Sequence, residues 1–182
     1  MPVLDRAYTY DDLANTPDDG HRYEIIGGEL FAWPAPPIAH QEVLGRLFAG
    51  LRLFADANGL GAVYGGLVDV RLSPYNVVQP DILFIARNRL DIRCDAYIAG
   101  APDLVMEVVS DRTRRIDLIR KRALYATAGV QEYWIADIDA RSLAVLTLVE
   151  EEHQIVPLEG NVARSLVVPD FEIALADVFA LD

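Results

Sequence analysis

Apolar residues recur along the chain with two periods, and the places where the period changes mark its elements. From Ile38 to Asn58 they return every three or four positions, with Leu44, Leu47 and Leu51 on one stripe and Gly59 as a stop, which predicts a long amphipathic helix. His40 lies one turn before Leu44 and is expected to face a sheet. Tyr23 to Trp33 predicts two strands around Gly27-Gly28, a pair that tolerates the positive φ of a tight turn. Glu24 and Glu29 flank that turn, and Thr9 with Asp12 predicts the cap of a short helix through Ala14. Val63 to Leu72 and Val77 to Ile85, separated by Ser73-Pro74-Tyr75-Asn76, predict an antiparallel hairpin with Gln79, Asp81, Leu83 and Ile85 on one face. Pro80 lacks an amide donor, so that end of the strand is expected to be an edge or a bulge.

The second half centres on Pro102 to Asp137, which reads as strand, basic loop, helix, strand. Leu104 to Val109 has the continuous apolar character of a strand buried on both faces, except at Glu107. A carboxylate there costs several kcal/mol unless it is paired or binds a cation. The helix predicted over Ile116 to Ala128 places Leu118, Lys121 and Tyr125 on its inner face, with Asp117 one turn from Lys121. Between these parts Arg87 to Pro102 is polar and irregular, an excursion that could cover a site. Glu132 to Asp137 predicts a strand, Ser142 to Val149 with Gln154 to Leu158 a hairpin, and Phe171 to Phe179 a closing helix. Strands partly alternating with helices give an α/β layer fold with a mixed sheet.

Length and composition narrow this further. The 182 residues, 52% of them hydrophobic, fit a single domain spanning 1–182. One cysteine, Cys94, excludes an intrachain disulfide and suits a reducing cytoplasm. There is no export-type apolar segment in MPVLDRAYTY and no long apolar run, so no membrane association is expected. A net charge of −12 argues against a polyanion-binding surface overall. Yet Arg112, Arg114, Arg115, Arg120, Lys121 and Arg122 gather six of the 16 basic residues within 11 positions. Such a strip could engage phosphates, and it reads equally as a solvated helix face.

Lys121 is the only lysine among 15 arginines. Wherever a simple surface cation sufficed the chain has arginine, which suggests that this position needs a compact ammonium. Asp81, Glu107 and an inward Lys121 are two carboxylates and an amine that could converge at one end of a sheet. Mg²⁺ takes one or two carboxylates and keeps several waters, and a cation of this kind activates water for attack on a phosphoryl group. A neighbouring lysine can steer that water and offset the developing charge. On residue chemistry alone, a buried Glu107–Lys121 ion pair with Asp81 as a strand-end cap accounts for the trio equally well.

The wording of the segments bears on that choice. YEIIGGELF, HQEVLGRL, VVQPDILFI, APDLVMEVVS and KRALYATAGVQEYWIAD, in this order, resemble the Uma2 family (DUF820), which is similar to PD-(D/E)XK, or restriction endonuclease-like, nucleases. The resemblance runs from about Tyr8 to Phe179. It implies a restriction endonuclease-like fold, a central mixed β-sheet flanked by helices with N-terminal and C-terminal hairpins. It also implies Asp81 and Glu107 as ligands of Mg²⁺ or Mn²⁺, phosphodiester hydrolysis with DNA as partner, and a homodimer. The superfamily lysine belongs two residues after Glu107, where this chain has Val109, so the role would pass to Lys121. Where many members read SPST, this chain has Ser110-Asp111-Arg112-Thr113. Glu24 and His40 also match family positions as accessory residues, joined by Gln79 beside the PD pair. A core histidine bonded to a carbonyl, and a glutamine satisfying backbone, are the plainer readings of the last two. A catalytically inactive binding or assembly protein and a hydrolase of smaller phosphate esters are the alternatives to a nuclease.

Overall fold

The computed structural model describes residues 6–109 and 116–180, with the side chains of 116–118 left aside. The order is α1 (Tyr10–Leu13), β1 (Arg22–Ile26), β2 (Glu29–Trp33), α2 (Ile38–Asn58), β3 (Gly61–Gly65), β4 (Val70–Ser73), β5 (Asn76–Val78) and β6 (Ile82–Ala86). After a 3₁₀ turn at Arg87–Ile92 come β7 (Ile98–Ala99), β8 (Leu104–Val109), a π-helical turn at Ile116–Lys121 and α3 (Arg122–Ala128). The chain closes with β9 (Glu132–Asp137), β10 (Ser142–Val149), β11 (Glu152–Val156), β12 (Val162–Arg164), β13 (Glu172–Ala174) and α4 (Leu175–Val178).

These form a six-stranded mixed sheet, β11-β10-β9-β8-β6-β3, a five-stranded sheet, β2-β1-β5-β4-β7, and the small pair β12-β13. β8 and β9 run parallel and are buried along their whole length, in keeping with their mainly apolar sequences, and that burial takes in Glu107, Glu132 and Asp137 as well. Val43, Leu47 and Leu51 of α2 pack with Ile82, Phe84, Met106, Val108 and Trp134 on one face of the larger sheet. The opposite face presents Leu83, Ile85, Val105, Val109 and Tyr133, which pack with Tyr125 of α3 and with Ile26, Val70 and Val78 of the smaller sheet. The larger sheet is thus covered by α2 on one side and by α3 with the smaller sheet on the other.

Several expected elements are present with their predicted chemistry. Gly27 and Gly28 have φ of 62° and 75° in the β1–β2 turn, and Gly59 caps α2 in the left-handed region. The Asp12 carboxylate accepts from the Thr9 N–H at 2.8 Å and its hydroxyl at 3.1 Å. The inner stripe of α2 is Val43, Leu47, Leu51 and Ala55, with Leu44 at its margin.

Three expectations are corrected. The predicted Val63–Leu72 and Val77–Ile85 strands are four: β4 and β5 pair in the smaller sheet, β3 and β6 in the larger. The chain changes sheets at Gly66, with φ 85°, and at Pro80, which cannot donate to a ladder. The Ile116–Ala128 helix begins with the π turn before becoming α-helical. Phe171–Phe179 is β13 and a four-residue helix, because Glu172 to Ala174 pairs with β12.

Candidate active site

The sheet change at Pro80 creates the site. The β6–β8 ladder starts at Ile82↔Met106, so Asp81 and Glu107 occupy the next positions in register, beyond the last paired residues. There the Asp81 carboxylate substitutes for the missing ladder: its Oδ2 accepts from the Val108 N–H at 2.8 Å. The same oxygen lies 3.2 Å from His40 Nε2 on the first turn of α2, and Oδ1 accepts from Arg22 of β1 at 3.2 Å. Burial opposes the charge on Asp81, but His40, Arg22 and the Val108 amide together hold its pKa below the ordinary carboxylate value.

Glu107 is held by a separate set of partners, supplied by the turn before α3 and by α3 itself. Its Oε1 accepts from Lys121 Nζ at 2.9 Å and from the Tyr125 hydroxyl at 2.7 Å. Lys121 is fully buried and also lies 3.0 Å from Glu24 Oε1. Glu24 is fully buried too, accepting from the Gln79 N–H at 2.7 Å through Oε1 and from Trp33 Nε1 at 2.7 Å through Oε2. Two carboxylates therefore share one ammonium, an arrangement in which neither anion is left without compensation. Burial, and after it the negative charges of Glu107 and Glu24, push the Tyr125 phenol well above its ordinary pKa, so it remains a proton donor to Glu107.

β1 joins the two halves. Arg22 reaches Asp81, and Glu24, two residues on and facing the same way, reaches Lys121. Of the residues singled out from sequence, Glu24, Glu107 and Lys121 are in direct contact, as are His40 and Asp81. Gln79 binds Glu24 through its backbone and Asp69 through its side chain, at 2.8 Å. Arg120 is exposed, paired with Glu29 at 2.7 Å and lying 5.2 Å from the Phe31 ring centre. Arg112, Arg114 and Arg115 lie outside the described residues. Sequence reasoning did not single out Arg22, Trp33 or Tyr125 as site residues. Tyr125 was legible one turn after Lys121 on the same face, whereas Arg22 and Trp33 depend on how β1 and β2 dock.

Among the described residues no group of three or more His, Cys, Asp or Glu forms a ready-made metal cage. The donor chemistry still fits a hard divalent ion, because Asp81 and Glu107 offer carboxylate oxygens at facing positions just past the β6–β8 ladder. Gln79 Oε1 is buried and has no hydrogen-bond partner among the described residues.

The Uma2 family model, described as "Putative restriction endonuclease", matches residues 8–176. The chain belongs to the Uma2 family. The crystal structure of a "putative nuclease belonging to DUF820" from Anabaena variabilis superposes with a TM-score of 0.75 at 17% identity, covering 95% of this chain and 98% of that one. No curated protein sequence matches. This Uma2 chain accordingly has the restriction endonuclease-like fold, whose members generally use divalent metal ions. Among its described residues, no helix is long and apolar enough to cross a membrane.

Proposed function

We propose that this protein is a Mg²⁺- or Mn²⁺-dependent nuclease that hydrolyses phosphodiester bonds, with DNA as substrate. The observation that carries the reading is the chain's only lysine, fully buried between Glu24 and Glu107. An ion pair serving stability alone needs neither a second carboxylate nor a lysine in a chain that otherwise uses arginine.

In this reading Asp81 and Glu107 hold the ion, which supplies Lewis-acid polarisation of the phosphate and lowers the barrier to deprotonating water. Lys121 is anchored by Glu107 and Glu24 beside the attacking water and stabilises charge gathering on the phosphoryl oxygens. Water oxygen bonds to phosphorus and passes a proton to solvent, the bridging P–O bond breaks, and the departing alkoxide takes up a proton from solvent. Tyr125 fixes the Glu107 carboxylate, and His40 with the Val108 amide fixes that of Asp81. Arg112, Arg114, Arg115 and Arg120 engage the backbone phosphates of the strand.

Supercoiled, linear and single-stranded DNA incubated with the pure protein tests this. Cleavage is expected only with Mg²⁺ or Mn²⁺, and is lost in Glu107→Gln and in Asp81→Asn. DNA binding without cleavage in any metal would instead support a binding or assembly role for the fold. Turnover confined to small phosphodiesters would redirect the substrate class.

A further inference from the structure

A cavity of about 530 Å³ opens beside the proposed centre, with Tyr10, His21, Arg22, Tyr23, Asp69 and Gln79 in its lining. Two of these residues also hold the centre, Arg22 on Asp81 and the Gln79 amide on Glu24. A group seated in the cavity is therefore one residue away from Asp81 and from Glu24. The volume lies within the range of small-molecule sites and exceeds what a single water needs.

The lining chemistry selects among occupants. Tyr10, His21 and Tyr23 supply aromatic rings; those of His21 and Tyr23 lie 6.4 Å apart, and Tyr10 rests against Tyr97 at 4.9 Å. Rings of this kind are the usual platforms for unstacked bases. Two carboxylates, Asp11 and Asp69, also line it, and they present acceptors. Asp69 Oδ1 accepts from Gln79 Nε2, which fixes the orientation of that amide, since the reverse would set two oxygens against each other. Gln79 Oε1 is left buried with no donor among the described residues. Burial, with the nearby Glu24 charge adding to it, raises the Asp69 pKa despite the Gln79 hydrogen bond, as expected of a carboxylate that would gain from a further donor. The arginine of the lining, Arg22, is engaged with Asp81, and His21 Nδ1 lies 3.0 Å from Asp19 Oδ1. An acceptor-rich aromatic cavity disfavours a phosphate and suits a flat ring with adjacent N–H donors. Among the bases, guanine presents two such groups side by side, N1–H and the 2-amino group.

Building on the nuclease reading above, we infer that this cavity is a base subsite. It takes an unstacked guanine of the bound strand, with the Asp69 carboxylate accepting from its N1–H and 2-amino groups and Gln79 Nε2 holding that carboxylate in place. A base in a single strand or frayed end enters at least cost, because little pairing is lost.

The test is fluorescence anisotropy without divalent metal, using a labelled oligothymidylate that carries one central guanine, inosine or 7-deazaguanine. Inosine lacks the 2-amino group, and 7-deazaguanine keeps the donor edge. Guanine and 7-deazaguanine are expected to bind alike, about tenfold more tightly than inosine. Asp69→Asn should remove that difference, with thermal melting to confirm that the variant folds. Equal affinity for guanine and inosine, with oligothymidylate still bound, overturns the subsite and leaves the nuclease reading intact. Failure to bind any oligonucleotide overturns the subsite, while the metal-dependent cleavage assay decides the nuclease reading separately. Binding of free guanosine monophosphate without any oligonucleotide overturns the strand as the source of the base.

Discussion

At the residue scale the behaviour of the centre turns on Lys121. Removing it leaves Glu24 and Glu107, both fully or almost fully buried, facing the emptied space without their shared cation. Lys121→Ala is expected to cost about 3–5 kcal/mol by urea denaturation in chelator, and Mg²⁺ should recover more stability in this variant than in the parent. Lys121→Arg keeps the charge but spreads it over a longer planar group that cannot set a compact cation at the same point, so it should fold and bind metal while failing to cleave. An active arginine variant would remove the catalytic role of this lysine. Tyr125→Phe deletes one donor to a charged oxygen and should cost about 1.5–3 kcal/mol, lowering kcat with KM little changed. Asp81 predicts the acid limb. Because its folded pKa is lowered, its contribution to stability is present above the unfolded value near 4 and is lost as pH falls through the folded one. Denaturant titrations from neutral to strongly acidic pH should therefore show a flatter limb in Asp81→Asn.

Among the elements, the strand that changes sheets does most to shape the site. β3 lies so close to β6 that a Cβ on Gly61 would meet the Ile85 carbonyl oxygen at 2.1 Å. Backbone cannot move aside as a flexible side chain can, so Gly61→Ala should destabilise by about 1–3 kcal/mol and, through β6, disturb Asp81. A thermal melt combined with a cleavage assay checks both parts. The same region shows why two strands were legible as segments and not as four. Hydrophobic period two is continuous through Val77 to Ile85, and only the absent amide of Pro80 hints that pairing changes partner there. The π turn before α3 left no such hint, since a single extra residue in a turn hardly alters the apolar stripe around Lys121 and Tyr125.

For the whole molecule, charge decides how a strand approaches. With a net charge of −12, DNA as the proposed substrate would have to reach the centre through a local basic surface, so affinity should fall steeply with salt. Each lost phosphate contact should flatten the log–log salt slope by about 0.9 on duplex DNA. Arg114→Ala/Arg115→Ala therefore tests the strip, and an unchanged slope would exclude it. Arg120 already pairs with Glu29, so Glu29→Gln should raise DNA affinity by freeing the guanidinium.

The sequence by itself determined the α/β class, the length and caps of α2, the glycine turn of β1–β2, and the inward lysine beside a buried glutamate. Each of these depends on local backbone preference or on one element's period, which neighbouring residues encode. Tertiary structure decided that Glu24 shares Lys121, that Arg22 and His40 reach Asp81, and that Trp33 and Tyr125 brace the two glutamates. Those contacts join residues 9 to 59 positions apart, or as many as 97 for Lys121 and Glu24, and so depend on docking between elements that no local pattern records.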